Sequence, residues 1–405
     1  MQTRSLAALL GVLSLALPAV LTSQTPASDL LERARELHRA VPLIDGHNDY
    51  PWAVREKTPD RDLSVLDISK PQPSLMTDIA RLRAGGVGGQ FWSVYVPSSM
   101  QGNIAVRATL EQIDIVHRMV AKYPETLQLA RTASEVERAF DNGRIASLIG
   151  MEGGHSIDGS LGALRMLHKL GAGYMTLTHS TNTPWADSAT DTPEHGGLSV
   201  FGEEVVREMN RLGMLVDLSH VSPDTMADAM RASAAPVIFS HSSARAVCDH
   251  PRNVPDEILR ALPEDGGVVM VTFVPGFIAP EAGRLYPAMA AELRRLRAAH
   301  PNDASAVQQG MREWRKTHPE PKATLAMVAD HIDHIRNVAG IDHIGLGGDF
   351  DGIDTVVAGL EDVSKYPYLT AELLRRGYSD EDIKKILGLN ILRVMRKAEE
   401  VAGRT

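Results

Sequence analysis

Cysteine is nearly absent. The 405 residues hold one, Cys248, so the chain alone builds no disulfide framework, thiolate-held zinc or iron–sulfur cluster. Any metal must therefore sit on nitrogen and oxygen, and Cys248 is read as a small packed residue with no catalytic role. No Lys/Arg-rich run occurs either, and 42 basic against 51 acidic residues leave a net charge of -9. That removes the electrostatic footprint of a nucleic-acid binder. Aromatics are few, at 5%, but 43% hydrophobic and 23% charged residues are ordinary for a large folded protein. Internal repeats are missing, and the one long apolar run is residues 5–21, behind Arg4 and ahead of the polar TSQTPASD. Interrupted by Gly11 and Pro18, it is short for a span that needs about 20 residues. The layout is that of a secretory signal peptide over residues 1–23. The C-terminal RKAEEVAGRT is polar and offers no anchor signal. The expectation is an extracytoplasmic protein, periplasmic or secreted, with no stable membrane anchor after cleavage.

Over residues 29–405, short β-rich apolar runs alternate with amphipathic helical patterns. The runs are VPLID (41–45), VGGQFWSVYV (87–96), RIASLIG (144–150), GYMTLTH (173–179), MLVDLSH (214–220), PVIFSH (236–241), GGVVMVTFV (266–274) and HIGLGGD (343–349). Stretches such as LVDL and VVMV are apolar without alternation, as in parallel strands covered on both faces. Strand followed by helix, repeated eight times, predicts an α/β fold: one domain built as a TIM-like (β/α)₈ barrel. Residues 280–322, rich in Arg, Ala and Glu, break the rhythm and read as a helical insertion before the last strand, either a surface excursion or a lid or oligomer contact.

Polar residues able to bind metal stand at the C-terminal ends of these runs, where barrel active sites lie. His47 and Asp49 follow LIDG and, two apart, face the same side. Glu152 follows SLIGM, and His179, His220 and His241 end three further runs. Asp349 follows IGLGG. Burying so many carboxylates and imidazoles without a cation would cost several kcal/mol per group, and no comparable set of Lys or Arg stands at the same points. A metal cluster is the simplest reading. His331 and His334 in VADHIDHI have helical spacing but read as packing or surface residues.

The motifs DGHND (45–49), GMEGG (150–154), LTHSTNTPWADS (177–188), VDLSHVS (216–222), FSHSSARAVCDHPRN (239–253) and GLGGDFDG (345–352) together resemble the renal, or membrane, dipeptidase family of zinc peptidases. The match is collinear as far as GYSDEDIKKILGLNILRV (377–394). The resemblance implies two Zn²⁺ ions per chain, with His47 and Asp49 on one, His220 and His241 on the other, and Glu152 bridging both. It also implies that His179 binds substrate near the scissile carbonyl, that Arg252 receives the substrate carboxylate, and that Asp349 is the catalytic acid/base beside Glu152. The implied substrates are small free dipeptides, with tolerance of a D residue at the C-terminal position. The chain departs from the animal enzymes in its 280–322 insertion, in Phe277 near a family tyrosine, and in Thr181 at a family cysteine. A homodimer is compatible with this reading. The alternative is another binuclear metal-dependent amide or lactone hydrolase on the same barrel, but such enzymes typically carry HxH at the first strand, where this chain has HND.

Overall fold

Each apolar run of the sequence becomes one strand of a closed parallel barrel. The structure is a computed structural model that describes residues 27–301, 303–319 and 321–403; the signal peptide expected over residues 1–23 lies outside the described residues. The strands are β1 (Leu43–Asn48), β2 (Val87–Tyr95), β3 (Leu127–Leu129), β4 (Ile145–Glu152), β5 (Ala172–Thr176), β6 (Leu215–Asp217), β7 (Ile238–Ser242), β8 (Val268–Val271) and β9 (Ile344–Leu346). Eight of them form the ring. β2 pairs with β4 from Gly89↔Ala146 to Tyr95↔Glu152, and β9 closes on β1 at Asp45↔Leu346. The exception is β3, which adds to the start of β4, Leu127 opposite Ile145. Three residues are too few to show a period, so the sequence pattern predicts no strand there.

Neighbouring residues within a strand fall into different apolar clusters, the signature of a sheet covered on both faces. Ile44, Phe91, Leu148, Tyr174, Ile238 and Met270 share one cluster. Leu43, Trp92, Ile149, Met175, Phe239 and Val269 pack in another, with helix residues such as Val116, Val205 and Ile332. The first set is the barrel interior and the second the layer between barrel and helices.

Several helices start where the sequence supplies caps. Ser160, Ser199, Ser222 and Thr324 accept hydrogen bonds from the first turns of Leu161–Lys169, Val200–Leu212, Pro223–Ala232 and Leu325–Val338. The insertion is two helices, Pro280–Ala299 and Ala304–Thr317. They form a hairpin, with Leu296 of the first lying over Gly310 of the second. No helix among the described residues is long and apolar enough to cross a membrane.

Candidate metal centre and active site

The strand ends bring together residues that are far apart in the chain. His47 is the penultimate residue of β1, and Asp49 directly follows that strand. Glu152 is the last residue of β4, and His241 lies within β7, while His179 and His220 stand three residues beyond β5 and β6. All the predicted metal and acid/base residues meet around Glu152. Its Oε2 lies 3.4 Å from His47 Nε2, which is 3.3 Å from Asp49 Oδ2. Its Oε1 lies 2.9 Å from His220 Nε2 and 3.5 Å from His241 Nε2, and those two nitrogens are 3.0 Å apart. Each oxygen of one carboxylate thus faces its own set of donors.

The tautomers follow from the hydrogen bonds. The Tyr174 hydroxyl donates to the Gly46 carbonyl at 3.1 Å, so His47 Nδ1, 3.0 Å from the same hydroxyl, must be the donor to it. That leaves His47 Nε2 a bare lone pair, buried, with no hydrogen-bond partner, facing two carboxylates. Likewise Ser240 Oγ donates to Asp217 Oδ2 at 2.6 Å and accepts from His241 Nδ1 at 2.8 Å, turning the His241 Nε2 lone pair inward. Lone pairs and carboxylates converging in a dry site repel each other unless a cation lies between them. The donor set therefore fits divalent metal ions on nitrogen and oxygen.

Without a metal ion, the same surplus of negative charge draws a proton onto His47, at the position a cation would take. Burial opposes charge on His47, but Tyr174, Glu152 and Asp49 override it and hold the ring's pKa well above the ordinary imidazole value. For Glu152 burial is likewise outweighed, here by His47 and His179, which hold it well below the usual carboxylate range. Burial pushes Asp349 well above that range, with Asp49 and Glu152 adding to the rise and His47 and Arg252 opposing it. Two carboxyl groups in one site are thus driven in opposite directions: Glu152 is held anionic, while Asp349 has a raised affinity for a proton, as a group that takes up and hands on a proton needs.

A cavity of about 600 Å³ opens over this cluster, lined among others by Trp52, Tyr95, His179, Arg252 and Asp349. His179 Nε2 is 3.5 Å from Glu152 Oε1, and its side chain, 16% exposed, is the most open of the four clustered histidines. Arg252 is buried, with its Nε and one terminal nitrogen unpartnered, and it forms no ion pair among the described residues. Its guanidinium lies over the Phe277 ring at 4.9 Å, and burial lowers its pKa to about 10. His220 and Asp349 have positive φ values, 70° and 60°. Non-glycine residues held there are strained, and such strain collects at functional sites.

Three supporting residues escape the sequence pattern. Asp217 accepts from Ser219 N, Ser240 N and Oγ, and Thr176 Oγ1, tying the ends of β5, β6 and β7. Asp45 does the same for β1 and β9, accepting from His47 N, Gly348 N and the Tyr366 hydroxyl. The third, Tyr174, reaches His47 across the barrel because Gly150 is bare, since a Cβ there would collide with the tyrosine ring. Asp217 and Asp45 lie inside VDLSH and DGHND, so proximity to a ligand is their only signal in the sequence. Away from the site, Cys248 is free and buried, and burial raises its thiol to about 11. His331 links Ala244 N to Ile278 O, and His334 contacts Asp256.

A closed parallel barrel with such a donor cluster at its strand ends defines a metal-dependent hydrolase. The chain belongs to the membrane dipeptidase family, peptidase family M19, whose profile matches residues 31–405; it is a metallo-dipeptidase. It is 44% identical over 385 residues to dipeptidase verJ of Clonostachys rogersoniana, covering 92% of this chain and 88% of that protein. It is 43% identical over 379 residues to dipeptidase 3 of Rattus norvegicus, covering 92% and 68%. Among solved structures, the probable dipeptidase PvdM from Pseudomonas aeruginosa aligns with a TM-score of 0.79 at 26% identity, over 93% of this chain and 100% of that one.

Proposed function

We propose that this metallo-dipeptidase cleaves free dipeptides at a binuclear zinc centre and accepts a D residue at the C-terminal position. His47 and Asp49 would hold one ion, His220 and His241 the other, and Glu152 would be shared by both. Divalent ions, when bound by these residues, would supply Lewis acidity to a carbonyl and lower the pKa of water. The chain's own groups do the rest. His179, facing the cavity beside Glu152, donates a hydrogen bond to the oxygen that gains charge. Asp349 takes a proton from the attacking water, which burial of its carboxyl favours, and passes it to the leaving amine.

One observation carries the restriction to dipeptides: Arg252 is a buried guanidinium with unused donors, in the same cavity as the cluster. A buried, unpaired guanidinium is costly, and a substrate carboxylate relieves it with a charge-assisted fork. Carboxylates such as Asp349 can hold the free amino group, so a longer peptide loses one contact or clashes. D-residue tolerance rests on the motif resemblance and on the space that opens beside Arg252. We also propose that residues 1–23 direct export and are removed, leaving an extracytoplasmic enzyme; N-terminal sequencing of the mature protein tests this.

The central experiment assays L-L, L-D and D-L dipeptides beside N-blocked and C-amidated versions, with metal measured by elemental analysis. Two zinc ions per active chain and sharp loss with either terminus blocked are expected. At most one tightly bound ion in fully active enzyme ends the binuclear reading. Undiminished cleavage of blocked substrates ends the dipeptide reading.

A further inference from the structure

A second cavity of about 710 Å³ adjoins the first, sharing His220, Arg252 and Phe277 with it. Its far wall is the first helix of the inserted hairpin. Tyr286, Ala290, Leu293, Arg294 and Arg297 line it, and their spacing puts them on one face of Pro280–Ala299. Tyr286 also packs on His250 at 4.3 Å, and His250 Nδ1 accepts from the backbone N–H of Arg252 at 3.2 Å. The hairpin is thus anchored to the loop that presents Arg252.

The four arginines of this helix divide into two pairs. Arg284 and Arg295 are bound to Glu281 and Glu292 on the same helix, at 2.8 and 2.7 Å. Arg294 and Arg297, the two that line the cavity, form no ion pair among the described residues. Other charges also face this space. The Arg245 guanidinium is committed to the carbonyls of Asn253 and Pro251. The Asp191 carboxylate accepts from the backbone of Asn182 and Thr192. Asp249 is the remaining acid. With Arg252 included, four arginines face two aspartates, so the cavity is basic in a chain whose net charge is -9.

We infer that this annex selects dipeptides whose C-terminal residue carries an acidic side chain, read by Arg294 and Arg297. The inference rests on the assignment of Arg252 to the substrate's α-carboxylate, made above. The side chain of that residue leaves the same carbon as the carboxylate, and the annex is the space beside Arg252. Long, exposed arginine side chains are screened by water and salt, so the selection is one of moderate strength that weakens as salt rises.

The test compares kcat/KM for Ala-Glu with Ala-Gln, in both configurations of the second residue. Ala-Ala is included, and the wild type is set beside the Arg294→Ala/Arg297→Ala double variant, both zinc-loaded. The glutamate-to-glutamine ratio within each enzyme cancels any general loss of activity. A ratio of roughly tenfold in the wild type, reduced by about 0.5 M NaCl and falling to about one in the double variant, is expected. A wild-type ratio near one with Ala-Ala still cleaved overturns the annex inference alone, as does a high ratio that persists in the double variant. Failure to cleave any of these dipeptides overturns the dipeptide reading and the inference with it.

Discussion

Arg252 and Asp349 make opposite demands on their surroundings, and each yields its own test. Burial works against the charge of Arg252, so the residue costs stability in the free enzyme, a cost that a bound substrate carboxylate would offset on the proposed assignment. Arg252→Met should cost about 2 to 5 kcal/mol in kcat/KM towards dipeptides while metal content stays normal. C-terminal amidation of the substrate should then harm the wild type heavily and the variant little; equal sensitivity in both would remove Arg252 from the substrate. At Asp349 burial raises the carboxyl's affinity for a proton. Asp349→Asn should keep its metal and lose about 10²- to 10⁴-fold in kcat, the usual share of a positioned acid/base. An asparagine variant with normal turnover would show that another group moves the proton.

At the scale of elements, the centre depends on strand ends being held in register, and a buried carboxylate does this on each side of the barrel. Asp217 binds the ends of β5, β6 and β7 through backbone amides and hydroxyls, and through Ser240 it sets the orientation of His241. Asp217→Asn turns one acceptor oxygen into a donor that faces other donors. It should weaken metal retention by about 10- to 100-fold, the usual effect of losing the hydrogen-bond partner of a metal-binding residue. Competition with a chelator measures it, and unchanged retention would make Asp217 a packing residue only. Gly352 acts by the opposite means. A side chain there would strike the carboxylates of Asp49 and Asp349, so the turn after β9 can lie against the centre only without one.

For the whole molecule, histidines remote from the centre link stability to pH. Burial lowers His38 and His331 to about 4. The ring of His38 makes two hydrogen bonds suited to its neutral form, donating from Nδ1 to the Gly85 carbonyl and accepting the Thr370 hydroxyl at Nε2. In the unfolded chain such a ring protonates near its ordinary value of about 6.5. Below that pH the unfolded state takes up a proton that the native state refuses until about 4. The stability these rings contribute is therefore full above about 6.5 and falls as pH drops towards about 4. Each ring accounts for about 3 kcal/mol of that fall. Chelated His38→Gln should therefore lose less stability than chelated wild type between about pH 6.5 and about pH 4.5, read by urea unfolding. Parallel pH slopes in the two proteins would contradict this.

The eight apolar runs, their order and the polar residues at their ends determined the barrel and the candidate cluster, because burial on both faces writes a parallel strand as a continuous apolar run whatever surrounds it. The motif from Asp45 to Asp49 likewise carried its own geometry, two side chains on one face of an extended segment. Tertiary structure alone decided which oxygen of Glu152 faces which histidine, that Tyr174 and Asp217 set the tautomers of His47 and His241, and that Arg252 is left without a partner. These depend on contacts between residues far apart in the chain, such as His47 and Tyr174, separated by 127 positions, and no local pattern encodes them. The hairpin of residues 280–317 shows the same limit: its helices are legible from composition, but the sequence does not say that one face, with two unpaired arginines, forms a wall beside the active site. That follows from how the helix docks on the barrel rim, a matter of long-range packing.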